Sequence, residues 1–191
     1  KDLQLDNKPF HIECFDNSNI QGSLPTSSCV VFKNGLPSKK DYRIFKIKTI
    51  TKADDFASMR EVVFRRYKRV LDEKGDLPDL IVIDGGKGQL SSAKESLKRL
   101  GLSGKIAIIG IAKKLESIYF PNDKIPLFID KKSPSLKLIQ TIRNEAHRFA
   151  INYHKKRRLK STLSSALTDI DGIGEKTAEL LSNEKAIGWF Q

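Results

Sequence analysis

Apolar and polar positions along the chain fall into three successive patterns. Short β-prone runs come first. Phe10 to Asp16 (FHIECFD) closes in the polar turn Asn17-Ser18-Asn19, and Ser28 to Lys33 (SCVVFK) leads into the hairpin pair Asn34-Gly35. Tyr42 to Ile50 alternates imperfectly and predicts a third strand, so the opening reads as an antiparallel meander. Helical spacing follows, with Phe56, Met59, Val63, Tyr67, Val70 and Leu71 recurring between a cap at Asp54 or Asp55 and a stop at Gly75. The other face of this helix carries Arg60, Arg65, Arg66, Lys68 and Arg69. Leu80 to Asp84 (LIVID) is then continuously apolar up to its last residue, the pattern of a buried parallel strand. Gly85-Gly86-Lys87-Gly88 turns it into a helix from about Gln89 to Leu100, with Gly101 as its C-cap. Lys105 to Ala112 is a second buried run, and Ser117–Phe120 with Leu127–Asp130 reads as a ribbon. Ser133-Pro134 opens the longest helix, whose apolar side is Leu138, Ile142, Ala146, Phe149 and Tyr153. It runs into Lys155-Lys156-Arg157-Arg158-Leu159-Lys160, read as a domain boundary or a phosphate-contacting linker. A short helical stretch beyond it is broken at Asp171-Gly172-Ile173-Gly174.

This order predicts an α/β fold: a mixed sheet flanked by helices, its first strand beside its fourth, which is the ribonuclease-H-like arrangement. Residues 1–158 would form that domain and residues 159–191 a small helical segment. A chain of 191 residues with 39% hydrophobic and 30% charged side chains can bury a real core, which excludes a disordered tail. No apolar run approaches the roughly 18 residues of a membrane span. The amino terminus has neither Met nor a signal-peptide core, so the sequence reads as part of a longer cytoplasmic protein. Cys14 and Cys29, without a Cys-x-x-Cys pair, exclude a disulfide scaffold and a thiolate zinc site. Thirty-five Lys and Arg against 23 Asp and Glu give a net charge of +12. That excess favours a polyanionic partner, nucleic acid before an anionic membrane, with general composition as the bland account.

Two carboxylates occupy unusual places. Asp16 ends the first strand and Asp84 ends the apolar run, where an acid is costly unless a cation, hydrogen bonds or water compensate it. On neighbouring strands they would project to one spot and suit a hard divalent cation, Mg²⁺ or Mn²⁺. Each alone reads first as the cap of the following turn, and it is the pair at two strand ends that brings the cation reading level with it. His147, at the margin of the long helix's apolar stripe, is either a metal ligand or proton acceptor, or a half-buried histidine satisfied by hydrogen bonds. His154 falls in the basic run and reads as a surface or phosphate contact. The Gly85–Gln89 turn, with Lys87, can receive a phosphate, yet it matches no nucleotide-binding fingerprint and reads first as an ordinary tight turn. The turn of Gly172, Ile173 and Gly174, with Lys176 after it, suits backbone phosphate contacts without base preference. Arg157 and Arg158 would add to them.

Three ordered motifs resemble the UvrC family in its C-terminal half: Cys14-Phe15-Asp16-Asn17-Ser18-Asn19-Ile20-Gln21-Gly22, Leu77 through Leu90, and Glu145-Ala146-His147-Arg148-Phe149-Ala150. Met59-Arg60-Glu61-Val62, Arg65-Arg66-Tyr67 and the Ile-Asp-Gly-Ile-Gly turn are also similar. The resemblance implies a ribonuclease-H-like endonuclease domain followed by helix-hairpin-helix motifs. It implies an Asp-Asp-His triad on Asp16, Asp84 and His147 with Mg²⁺ or Mn²⁺, and the 5′ cut beside a DNA lesion in nucleotide excision repair. It also implies UvrB, and through it UvrA, as partners, with the UvrB-binding segment upstream and only one of two hairpins present. Asn144 stands where the family usually has Asp, and Asn17 where Ile is common. Glu61, on the helix that supplies a metal-site Glu in ribonuclease H, reads first as a salt bridge to Arg65. A non-catalytic DNA-binding module and a nuclease acting on another nucleic acid remain the rival readings.

Overall fold

The computed structural model describes residues 2, 3, 5, 7–18, 25–48, 54–112 and 116–182. The strands are β1 (His11–Ser18), β2 (Thr26–Lys33), β3 (Leu36–Pro37), β4 (Arg43–Lys46), β5 (Leu80–Asp84), β6 (Ala107–Ile111) and β7 (Ile118–Tyr119). The helices are α1 (Asp55–Asp72), α2 (Lys87–Arg99), α3 (Pro134–Thr168) and α4 (Glu175–Leu181). Motif positions Asn19 to Gly22 and the last two residues of the expected third strand lie outside the described residues. The chain divides into two compact units, Lys1–Ala150 and Ile151–Gln191. Among the described residues no helix is long and apolar enough to cross a membrane.

In the first unit the strands run in the order β3-β2-β1-β5-β6-β7, with β4 also on β2. β1 is antiparallel to β2, setting Asp16 opposite Ser28, and parallel to β5, setting Cys14 opposite Val82 and Phe15 opposite Ile83. β6 continues parallel beside β5, and β7 is antiparallel to β6. The meander and the first-beside-fourth pairing are thus both present. Period-two alternation makes β1 two-faced. Glu13 and Phe15 meet α1, where the Phe15 ring stands edge-on to Tyr67 at 6.1 Å. Cys14 and Asp16 face the other way, toward the amino-terminal half of α3.

The α1 face of β1 holds an internal ion pair. Arg66 donates twice to Glu13, at 2.6 and 3.1 Å, and the Tyr67 hydroxyl donates to it at 3.0 Å. Burial pushes the Glu13 carboxyl up, but the neighbouring His11 imidazole at 3.4 Å and the hydrogen bonds and charge of Arg66 outweigh it and hold it at about 2. The other cations of α1 are paired as well: Arg60 with Glu95 at 2.9 Å, Arg65 with Glu61 at 2.7 Å, Lys68 with Asp72 at 3.4 Å and Arg69 with Glu73 at 2.7 Å. The basic face of α1 is therefore largely neutralised within the protein.

Two further expectations are corrected. The basic run Lys155–Lys160 does not end the long helix but lies inside α3, which continues to Thr168. No Gly or Pro follows Pro134 before Thr168, and Lys and Arg propagate a helix well. His154 is not a surface residue but is 6% exposed. It extends the i, i+4 row of Ile142, Ala146 and Ala150. Burial pulls its pKa down, and Arg157 and Arg158 pull it further.

Candidate active site

Three of the residues singled out in the sequence converge at the carboxyl ends of β1 and β5. One ligand atom from each of Asp16, Asp84 and His147 lies within 4.8 Å of the others. Asp16 is 2% exposed and Asp84 5%. Register accounts for the first pair: β1 and β5 run parallel and in step, so residues two beyond Cys14 and Val82 share a face and an end. A sharp turn then carries the chain away from Asp84. Gly85 N–H donates to Ile111 O at 3.0 Å, and Gly110 leaves room for this, since a Cβ there would lie 2.8 Å from the Gly85 carbonyl oxygen.

The third member comes from α3, tied to the sheet on both sides of it. Ser28 Oγ donates to the Ala146 carbonyl at 3.0 Å, and Tyr42 Oη donates to Glu145 Oε1 at 3.1 Å. Arg148 closes the same turn by gripping both oxygens of Glu145 at 2.7 Å, which holds that carboxyl below its ordinary range. His147 Nδ1 thereby reaches Asp16 Oδ2 at 3.0 Å. Beside an ionised carboxylate, which only accepts, a neutral imidazole donates through Nδ1 and keeps its lone pair on Nε2. The imidazole side chain is 52% exposed against 2% for Asp16, so the cluster opens to solvent through the histidine. A cavity of about 730 Å³ lined by Leu77, Leu97, Ile106, Ile108 and Phe120 contains none of the three.

Other residues from the sequence reading are placed differently. Lys87 is the first residue of α2; its ammonium donates to the Lys124 carbonyl and sits 5.6 Å over the Tyr119 ring. The Gln89 side chain folds against Gly85, so the glycine turn is occupied by its own chain. Glu61 takes Arg65 and, at 3.1 and 3.2 Å, the Lys48 N–H, and is not one of the three clustered donors. Asn144 accepts from its neighbour Arg143 at 3.1 and 3.3 Å. In the second unit Arg157, Arg158 and Lys176 are exposed, and Gly172, at φ 87°, turns the chain before Gly174 caps α4. Arg143, Gln140 and Glu116 went unremarked as a group in the sequence: Arg143 lies 3.6 Å from Glu116, which also accepts from Gln140. The i−4 spacing of Arg143 to His147 was the available signal.

Two oxygen donors and an imidazole suit a hard or borderline divalent cation, and the donor set therefore fits a metal site. A mixed sheet with β1 between antiparallel β2 and parallel β5, helices on both faces and acids at adjacent strand ends defines a ribonuclease-H-like α/β domain. Residues 1–151 match the UvrC RNAse H endonuclease domain, and the chain belongs to that family. The UvrABC system protein C of Christiangramia forsetii is 63% identical over 188 residues, covering 98% of this chain and 32% of that protein. That of Flavobacterium johnsoniae is 64% identical over 177 residues, covering 93% and 30%. The chain thus spans about a third of the length of these curated relatives. Among solved structures, an endonuclease V from Ciona intestinalis in complex with inosine-containing DNA aligns with a TM-score of 0.43 and 19% identity, over 64% of this chain and 53% of that one.

Proposed function

We propose that this chain carries the hydrolytic site for the 5′ incision beside a lesion in nucleotide excision repair, as part of a protein working with UvrB and, through it, UvrA. The convergence of Asp16, Asp84 and His147 within 4.8 Å is the observation that carries this reading. The two buried carboxylates would hold Mg²⁺ or Mn²⁺, with His147 as a third ligand or as the proton acceptor. Such an ion, when bound, polarises a phosphoryl oxygen and lowers the pKa of water. Asp16 in either case orients the imidazole through Nδ1, so that Nε2 would either ligate the ion or take a proton from the attacking water. Strand-end placement on a packed sheet fixes these groups before substrate arrives, so positioning rather than covalent chemistry supplies the acceleration. Residues 159–191, with Gly172, Ile173, Gly174 and Lys176, would form a helix-hairpin-helix segment; with Arg157 and Arg158 it would contact phosphates without reading bases.

The test uses the full-length protein with UvrA and UvrB on a lesion-bearing duplex already nicked on the 3′ side. Asp16→Ala and Asp84→Ala are each expected to lower 5′ cutting by at least about 10³-fold and to weaken Mn²⁺ binding. Wild-type cutting by either variant would sink the assignment. Unchanged Mn²⁺ binding would favour a DNA-binding module whose acids are structural.

A further inference from the structure

Arg143 shares with His147 the face of α3 turned to the sheet, four residues before it. Its side chain is only 15% exposed, the same as that of Arg66. The two guanidinium groups are held very differently. Arg66 is locked onto Glu13 by two short hydrogen bonds. Arg143 faces Glu116 at 3.6 Å, beyond a direct hydrogen bond, and its close contact is the neutral Asn144 carboxamide at 3.1 Å. Glu116 is 29% exposed, stands in the left-handed backbone region at φ 52°, and is shared with Gln140. A mostly buried cation held so loosely is costly unless an anion completes it.

We propose that Arg143 is a catalytic residue, gripping a non-bridging oxygen of the scissile phosphate, with Glu116 holding the guanidinium until that phosphate arrives. This rests on the nuclease reading above. Charge accumulates on those oxygens in the transition state, where a fixed planar donor is worth most. Lysine, a point charge on a flexible stem, replaces such a group poorly.

The experiment measures single-turnover 5′ cutting by the full-length protein with UvrA and UvrB, on the same pre-nicked duplex. Arg143→Ala is expected to cut about 10²–10³-fold more slowly, with Mn²⁺ and DNA binding retained, because it removes a donor used chiefly in the transition state. Arg143→Lys is expected to recover about tenfold, and Glu116→Ala to lose less than about tenfold. Sulfur replacing the gripped oxygen should slow the wild type even in Mn²⁺, and that penalty should vanish in Arg143→Ala. Cutting by Arg143→Ala within about threefold of wild type would overturn the proposal. So would a Glu116→Ala variant as slow as Arg143→Ala, which would make the pair a loop tether. Loss of Mn²⁺ binding in Arg143→Ala, or a sulfur penalty that persists there, would overturn it too. An Asp16→Asn control that cuts like wild type would instead remove the nuclease reading itself.

Discussion

Glu13 and Asp16 lie three residues apart on β1, are 1% and 2% exposed, and face opposite sides of the sheet. On the α1 side, Glu13 is enclosed by Arg66, by the Tyr67 hydroxyl, by His11 at 3.4 Å and by the Cys29 thiol at 3.7 Å. On the α3 side, Asp16 meets a half-exposed imidazole and stands within 4.8 Å of a second buried acid. A buried carboxylate surrounded by fixed donors is scaffold. One placed beside another carboxylate carries like-charge repulsion that a cation from outside would relieve. Burial alone does not separate the two; the company each acid keeps does.

Neutralising each acid in turn tests that contrast, and the two should respond in opposite ways. Asp16→Asn is expected to cost at least about 10³-fold in cutting while leaving the melting temperature unchanged or higher, since it removes one of two crowded charges. Glu13→Gln is expected to cost about 3–5 kcal/mol of stability, because Arg66 is left buried without its partner, while the folded fraction still cuts. Denaturant titration and single-turnover cutting on both variants check this. A large stability loss in Asp16→Asn would erase the distinction between the two faces.

Acid sharpens the comparison next. Glu13 sits at about 2 when folded, against an ordinary value of 4.5. Its stabilisation is therefore fully present above pH 4.5 and lost progressively as pH falls from there to about 2. The shift corresponds to roughly 3 kcal/mol across that window. Unfolding measured against pH should show this acid limb in the wild type and a shallower one in Glu13→Gln. Equal slopes would mean that the Glu13 cluster is not what acid dissolves.

The two strands that carry the paired acids were legible in the sequence, because the short β-prone Phe10–Asp16 run closes in a polar turn and the uninterrupted Leu80–Asp84 run is the length of a buried strand. So was the meeting of β1 with β5, since a meander followed by strand-helix-strand leaves few sheet orders. What stayed hidden depends on partners distant in sequence. Arg66 and Arg60 look like a free basic face until Glu13, 53 residues away, and Glu95 on α2 are brought to them. Glu116 lies in a connection with no periodicity, so its approach to Arg143 left no pattern to read. Charge also misled at Lys155–Lys160, where a run that looks like the end of a helix keeps all the requirements for continuing it. His154 was misplaced for the same reason, its polar chemistry hiding a buried position in the i, i+4 row.

The smallest effect concerns how α3 is hung on the sheet. Ser28 is fully buried, sits opposite Asp16 across the β1–β2 pair, and donates to the carbonyl of Ala146, the residue before His147. Replacing it with Ala leaves that carbonyl in the helix ladder, so the loss should be about 1 kcal/mol, the usual net value of one neutral hydrogen bond. Its consequence for chemistry depends on geometry. Glu145, gripped by Tyr42 and Arg148, still anchors the same turn, so His147 should remain near Asp16 but with a wider range of positions. Ser28→Ala is therefore expected to slow cutting by less than about tenfold at unchanged DNA affinity. Adding Tyr42→Phe should cost more than the two single changes together, because the second anchor goes with the first. Strict additivity in that double-mutant cycle would show that the two ties hold different parts of α3, and that His147 depends on only one of them.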